Sequence, residues 1–203
     1  MTTVRPASQP DVVAPFPAPR APGDDRLRLA LPGRSLLLVG GLPGAGKSTL
    51  LAALDAPAGT VVLDSGTARA AVARLLPART PYPAYRWLVH LAHRATVLTE
   101  CLGRTETVVV HLPATRPSVR AALRLLARLG RRRAVLLWLD VPPDQARDGQ
   151  RRRGRVVRER PFARHVRRAE RLAAGLRAQG ERGWDAVRVT DRVGARGGLV
   201  LGK

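Results

Sequence analysis

Cysteine is almost missing from this chain of 203 residues, with Cys101 the single example. That excludes an internal disulfide and a multi-cysteine zinc site. A lone thiol in a helical stretch reads as a small packed residue. Aromatic residues make up only 3%, so the core has to be aliphatic. Lysine is nearly as scarce: Lys47 and Lys203 are the only two, and arginine supplies the rest of the 36 basic residues, against 15 acids. A formal charge of +21 built in this way reads as compositional bias more than as a nucleic-acid face, although it weakly favours phosphate-bearing partners. No apolar run approaches the roughly 18 residues of a membrane span. Pro6, Pro10, Pro15, Pro17, Pro19 and Pro22 interrupt the first stretch of chain and leave no leader-like apolar segment. The expectation is a cytoplasmic protein with no membrane partner.

What is present fits one folded domain. Apolar residues reach 45%, which argues against wholesale disorder, and the length suffices to bury a core. Residues 1–24 read as a disordered, proline-rich tail and 25–203 as the domain. Arg26 to Leu31 alternates in the manner of a short edge strand before the Pro32-Gly33 turn. Ser35 to Val39 is a continuous apolar run, as in a strand buried on both faces of a parallel sheet. Helices are expected over Lys47–Leu54, Thr67–Leu76, Tyr85–Leu102, Ser118–Leu129 and Phe162–Ala178, with a further one opened by Pro142 and Pro143. Strands are expected over Val61–Leu63, Thr107–His111, Ala134–Leu139 and Ala186–Val189. Strands separated by helices predict an α/β fold wound around a parallel sheet.

The strongest signal is Gly41-Leu42-Pro43-Gly44-Ala45-Gly46-Lys47-Ser48-Thr49, which satisfies G-x-x-x-x-G-K-[ST]. Glycines let the backbone approach a phosphate closely, and successive N–H groups then form an anion nest at a helix start. Lys47 is placed to reach the β- and γ-phosphates of ATP, and Ser48 to ligand Mg²⁺. In this composition the pattern arises by chance about once in a thousand such chains. One of only two lysines falls on the required position, between a buried strand and a helix.

With Val61-Val62-Leu63-Asp64-Ser65 and Arg69 added, the sequence resembles the P-loop kinase-type AAA family ATPases. That group takes in zeta-toxin-like kinases, chloramphenicol phosphotransferases and polynucleotide-kinase-like enzymes. The resemblance covers about residues 27–192. It implies a P-loop NTPase three-layer αβα sandwich with a mostly parallel five-stranded sheet and an arginine-rich lid. It also implies that Asp64 faces the γ-phosphate at the end of the second strand, where a carboxylate can take the proton of an acceptor hydroxyl. On the residues alone, Asp64 can equally cap the helix that follows it. Arg69 is either a grip on an anionic acceptor or a solvated arginine.

Arg151-Arg152-Arg153-Gly154-Arg155 looks like the lid of that group, within a segment of about 147–160. Arg151, Arg153 and Arg155 are the catalytic candidates there, able to neutralise charge on a transferred phosphoryl group. Other arginines of the run read as solvated. The magnesium partner is less evident, because Val108-Val109-Val110 ends in His111 where many P-loop proteins carry an acid. Asp140 is either an outer magnesium ligand through water or a helix cap, and His111 is either packed or in polar contact with phosphate. His90 and His93, three apart on a helix, lack a third ligand and read as packing or surface residues. Three functions follow in order: an ATP-dependent phosphotransferase acting on a small hydroxylated molecule or a polynucleotide end, an ATP-binding regulator or slow ATPase, and a nucleic-acid-binding module. Charge allows the last, but no recognition motif favours it.

Overall fold

The computed structural model of the chain describes residues 26–154 and 156–202. The expected tail over residues 1–24 and the candidate Arg155 lie outside the described residues. Three apolar runs make the centre of the molecule. β2 (Ser35–Gly41) is buried along its whole length, and it is flanked by β5 (Thr107–His111) and β6 (Arg133–Leu139). β4 (Thr60–Asp64) and β7 (Ala186–Thr190) complete a sheet of order β4-β5-β2-β6-β7 in which every pairing is parallel. Leu36, Leu37 and Leu38 are fully buried, and each such side chain contributes roughly 1.5–3 kcal/mol relative to exposure. Both faces of β2 are covered, which is why its sequence is a run and not an alternation.

Helices connect the strands: α1 (Lys47–Ala52), α2 (Ser65–Arg74), α3 (Tyr82–Leu102), α4 (Pro117–Leu129), α5 (Pro143–Arg151) and α6 (Glu159–Ala178). The result is the expected three-layer αβα sandwich. α3 and α4 pack on one another and against the sheet. The buried stripe of α4 is carried by Leu123 and Ala127, while Leu125 and Leu129 stay exposed. Cys101 is fully buried near the end of α3, and burial pushes its thiol up to about 11.

The boundaries differ from the sequence reading in instructive places. α1 stops at Ala52, two residues early, because Leu54–Asp55 forms a short strand, β3. α2 starts at Ser65, directly on Asp64, whose carboxylate accepts the Gly66 N–H at 3.1 Å and caps it. β1 (Leu27–Ala30) does not join the main sheet. It pairs in parallel with β8 (Leu199–Gly202), which also pairs with β3, giving a second sheet of order β1-β8-β3.

One arginine has a structural task that its composition concealed. Arg132 is buried just before β6, and its guanidinium donates to four carbonyls: Cys101 (2.7 Å), Glu100 (2.8 Å), Glu106 (3.1 Å) and Gly103 (3.2 Å). These include the last carbonyls of α3, where a cation is favoured.

Candidate functional site

β2 runs into the glycine loop at the carboxyl end of the parallel sheet, where sites in such sheets collect. Gly46 caps α1 with φ +106°, a backbone conformation that a side chain disfavours. Gly44 has φ +89°, and a Cβ built on it would lie 2.0 Å from the Ala146 carbonyl oxygen. Gly149 mirrors it, since a Cβ there would lie 2.2 Å from the Gly44 carbonyl oxygen. The loop and α5 therefore touch backbone to backbone. Side chains reinforce the contact. Gln150, buried, donates to the Pro43 carbonyl at 2.9 Å, and Arg192 donates to the Gly44 carbonyl at 3.1 Å and to that of Gln145 at 3.0 Å.

Lys47 opens α1 and is buried. Its ammonium donates to the Gly41 carbonyl at 2.9 Å and the Leu42 carbonyl at 2.8 Å. Desolvation and then the Arg153 charge push Lys47 down to about 7, with Asp64 acting against them. Arg153 donates to the Ser48 hydroxyl at 3.2 Å and to the Thr49 hydroxyl at 2.8 Å. Pro43, Gly44, Lys47, Ser65, His111 and Arg153 are among the walls of a pocket of about 170 Å³.

Asp64 and His111 end adjacent parallel strands and are partners in the register. His111 Nδ1 stands 3.3 Å from Asp64 Oδ1. The His111 hydrogen bond, with those of Gly66 and Ser65, outweighs desolvation and holds the Asp64 carboxyl well below the usual carboxylate range. Asp64 is thus both the cap of α2 and an ionised group within electrostatic reach of Lys47. His111 earns its place beside the P-loop through strand register, which no local motif encodes.

The remaining candidates are dispersed. Arg69 stacks on the Tyr82 ring, 4.2 Å from its centroid, and so joins α2 to α3. Arg151 pairs with Asp148 at 3.1 Å on an exposed face. Asp140 directly follows β6, the neighbour of β2, and there it receives a hydrogen bond from Arg177. Of the arginine run, Arg153 contacts loop residues. Arg147 instead pairs with Glu159 at 2.9 Å and lies 4.6 Å over the Phe162 ring. Among the described residues no cluster of three or more His, Cys, Asp or Glu forms a metal site. The Ser48 hydroxyl and the Asp64 carboxylate are hard oxygen donors, the type Mg²⁺ selects, and Mg²⁺ commonly keeps several waters and substrate phosphates as its other ligands. The residues present fit a magnesium nucleotide in donor chemistry.

A sequence model described as an AAA domain matches residues 36–179. No curated protein matches the chain. Solved structures share its fold. A chain of the PezAT chromosomal toxin–antitoxin system of Streptococcus pneumoniae superposes with a TM-score of 0.54 at 13% identity, over 83% of this chain and 72% of that one. A protein of Chloroflexus aurantiacus j-10-fl, named provisionally as a kinase, gives 0.51 at 15% identity, over 79% and 86%. The tunicamycin resistance protein of Deinococcus radiodurans gives 0.48 at 13%, over 76% and 86%.

Proposed function

The chain belongs to this AAA domain family, and on that premise we propose that it is an ATP-dependent phosphotransferase whose acceptor is a hydroxylated small molecule or a polynucleotide end. The observation that carries the reading is an ionised Asp64, held by His111, standing within electrostatic reach of the buried Lys47 beside the loop. The loop 41–49 holds the triphosphate, and Lys47 exchanges its two carbonyl partners for phosphate oxygens. Asp64 orients the acceptor hydroxyl and takes its proton as the oxygen bonds to the γ-phosphorus and the bond to the β–γ bridging oxygen breaks. His111 keeps the carboxylate aimed and anionic until then. Ser48, with Asp64 and water, would hold Mg²⁺, which when bound would supply charge neutralisation on the phosphate oxygens. Arg153, within a lid of about 147–160, offers its guanidinium to the same oxygens. Residues 25–203 act as one domain around this site.

A second reading, an ATP-binding regulator or slow ATPase, draws on the Arg153 hydrogen bonds to Ser48 and Thr49, which occupy the hydroxyls a metal nucleotide needs. Purified protein with γ-labelled ATP and a panel of acceptors separates the two readings. Transfer of label to an acceptor, lost by about 100-fold or more in Asp64→Asn with ATP binding retained, is the expected result. Release of inorganic phosphate alone, at the same rate with and without every acceptor, favours the regulator.

A further inference from the structure

A cleft of about 380 Å³ opens between α4 and α6, within the range of small-molecule pockets, and it shares no wall with the phosphate pocket. Pro117, Leu172 and Leu176 give it an apolar lining. Three arginines also line it: Arg120 of α4, and Arg168 and Arg171 of α6. Arg120 is buried, and it donates from Nε to Glu181 at 2.7 Å and from Nη1 to the Ala114 carbonyl at 2.8 Å. Glu181 is the one acid in the lining, and its carboxylate is already engaged. Besides Arg120, it accepts the Trp184 indole N–H at 3.1 Å and stands 2.9 Å from Arg124 Nη1. Arg168 and Arg171 differ, for neither has a hydrogen-bond or ion-pair partner among the described residues. Three positions apart, they share one face of α6. Gly175 continues that face by one turn and lines the same cleft. A glycine in the body of a helix weakens it relative to alanine. Packing does not demand one here, because a Cβ built on Gly175 would meet nothing within 4 Å. One stripe of α6 therefore presents two unanswered cations and then a gap.

We infer that this cleft is a second ligand site, separate from the glycine loop, and that its ligand is a phosphate monoester with an apolar body. A monoester is close to a dianion at neutral pH, which matches the charges of Arg168 and Arg171. Guanidinium groups bind phosphate oxygens in bidentate fashion. Two of them one turn apart suit a single doubly charged head better than two carboxylates at opposite ends of a molecule. Pro117, Leu172 and Leu176 take the body, and the gap at Gly175 admits it.

The probe is 2-naphthyl phosphate, titrated into the full chain by its fluorescence at fixed ionic strength and without nucleotide, with 2-naphthol as the phosphate-free control. Saturable binding of the phosphate is expected, and none of the naphthol. 2-Naphthyl sulfate, a monoanion of similar shape, should bind at least about threefold more weakly. Arg168→Gln combined with Arg171→Gln should weaken the phosphate by at least about tenfold, the worth of one charge-assisted hydrogen bond. Arg164→Gln combined with Arg167→Gln removes the same charge from α6 outside the cleft and should change affinity by less than about twofold. Gly175→Trp keeps every charge and fills the gap. It should abolish binding while the melting temperature holds or rises. Absence of saturable phosphate binding, or binding indifferent to Gly175→Trp, overturns the site. Equal loss in the two arginine pairs reduces the effect to the general positive charge of the chain and overturns it as well. Binding that survives without Arg168 and Arg171 but vanishes in Lys47→Ala puts the probe in the glycine loop, with the same consequence. Sulfate or naphthol held as tightly as the phosphate overturns the monoester class.

Discussion

Lys47 is a buried ammonium whose only described partners are two carbonyls, so its charge depends on what enters the loop. In the free protein it sits near pH 7, against 10.5 for an ordinary lysine. A bound triphosphate favours the charged form and raises that value. Nucleotide binding at pH 8 should therefore take up close to one proton, and binding at pH 6 almost none. Titration calorimetry in buffers of different ionisation heat reads this directly, and equal uptake at both values would contradict it. The same displacement acts on folding. Between about pH 7 and 10.5 the unfolded chain holds the Lys47 proton more firmly than the folded one, so this residue makes stability rise with pH across that window. Lys47→Ala should cost at least about tenfold in ATP affinity or turnover with the fold intact, measured by binding and by circular dichroism. Asp64 shifts in the same direction, over a more acidic window. Its depressed value keeps it ionised through neutral and mildly acidic pH, so no acid limb from Asp64 should appear in turnover above about pH 4. Its stabilising contribution is present above the ordinary carboxylate range and is lost as acid protonates it below that. His111→Phe removes the largest cause of the depression and should move the limb upward.

At the scale of elements, α5 and the glycine loop meet backbone to backbone, so a change on one is felt by the other. Gly149 admits no Cβ against the Gly44 carbonyl, and neither atom belongs to a flexible side chain. Gly149→Ala should destabilise the protein by about 1–3 kcal/mol, as overpacking does, and should weaken nucleotide binding with it. An unchanged melting temperature would mean that α5 moves freely over the loop. Arg153 adds a second connection through its bonds to Ser48 and Thr49, which on the proposed reading would compete with magnesium. Arg153→Gln should lower turnover by at least about tenfold while affinity for Mg·ATP changes little, since a lost cation is offset by freed hydroxyls. Arg132→Leu should cost about 2–4 kcal/mol, for it removes a guanidinium that four carbonyls share, although Arg34 and the Ser35 N–H still donate to those of Gly103 and Glu106.

These elements also explain what could be read in advance. The loop was legible because its chemistry is written in nine consecutive residues, Gly41 to Thr49. The three central strands, β5, β2 and β6, were legible because burial on both faces turns them into apolar runs. Arg132 was not, since it stands in the run Arg131–Arg133 and only burial sets it apart. The Asp64–His111 pair needed the register of β4 against β5, and the arginine-lined cleft needed α6 to lie beside α4. Both lie beyond the reach of local pattern.

At the scale of the whole molecule, the small sheet is where sequence pattern failed and topology decided. β3 has two residues and β8 has four, too few to show a period, and each exists because of the other. β1 lies beside β8 in parallel, with Leu27 level with Leu199 and Ala30 level with Gly202. The Leu27 N–H to Gly198 carbonyl bond at 2.9 Å and the Leu31 N–H to Gly202 carbonyl bond at 2.7 Å close its two ends. Consider tension applied through handles at residues 26 and 202. The two strands would be drawn along their axes in opposite directions, so the bonds between them would be loaded together in shear and not opened one after another. In that geometry this four-residue pairing is a mechanical clasp on the fold. Its rupture force, seen by single-molecule pulling, should exceed that with handles at 26 and 199, where the same bonds peel in sequence, although the unfolding free energy is identical in both.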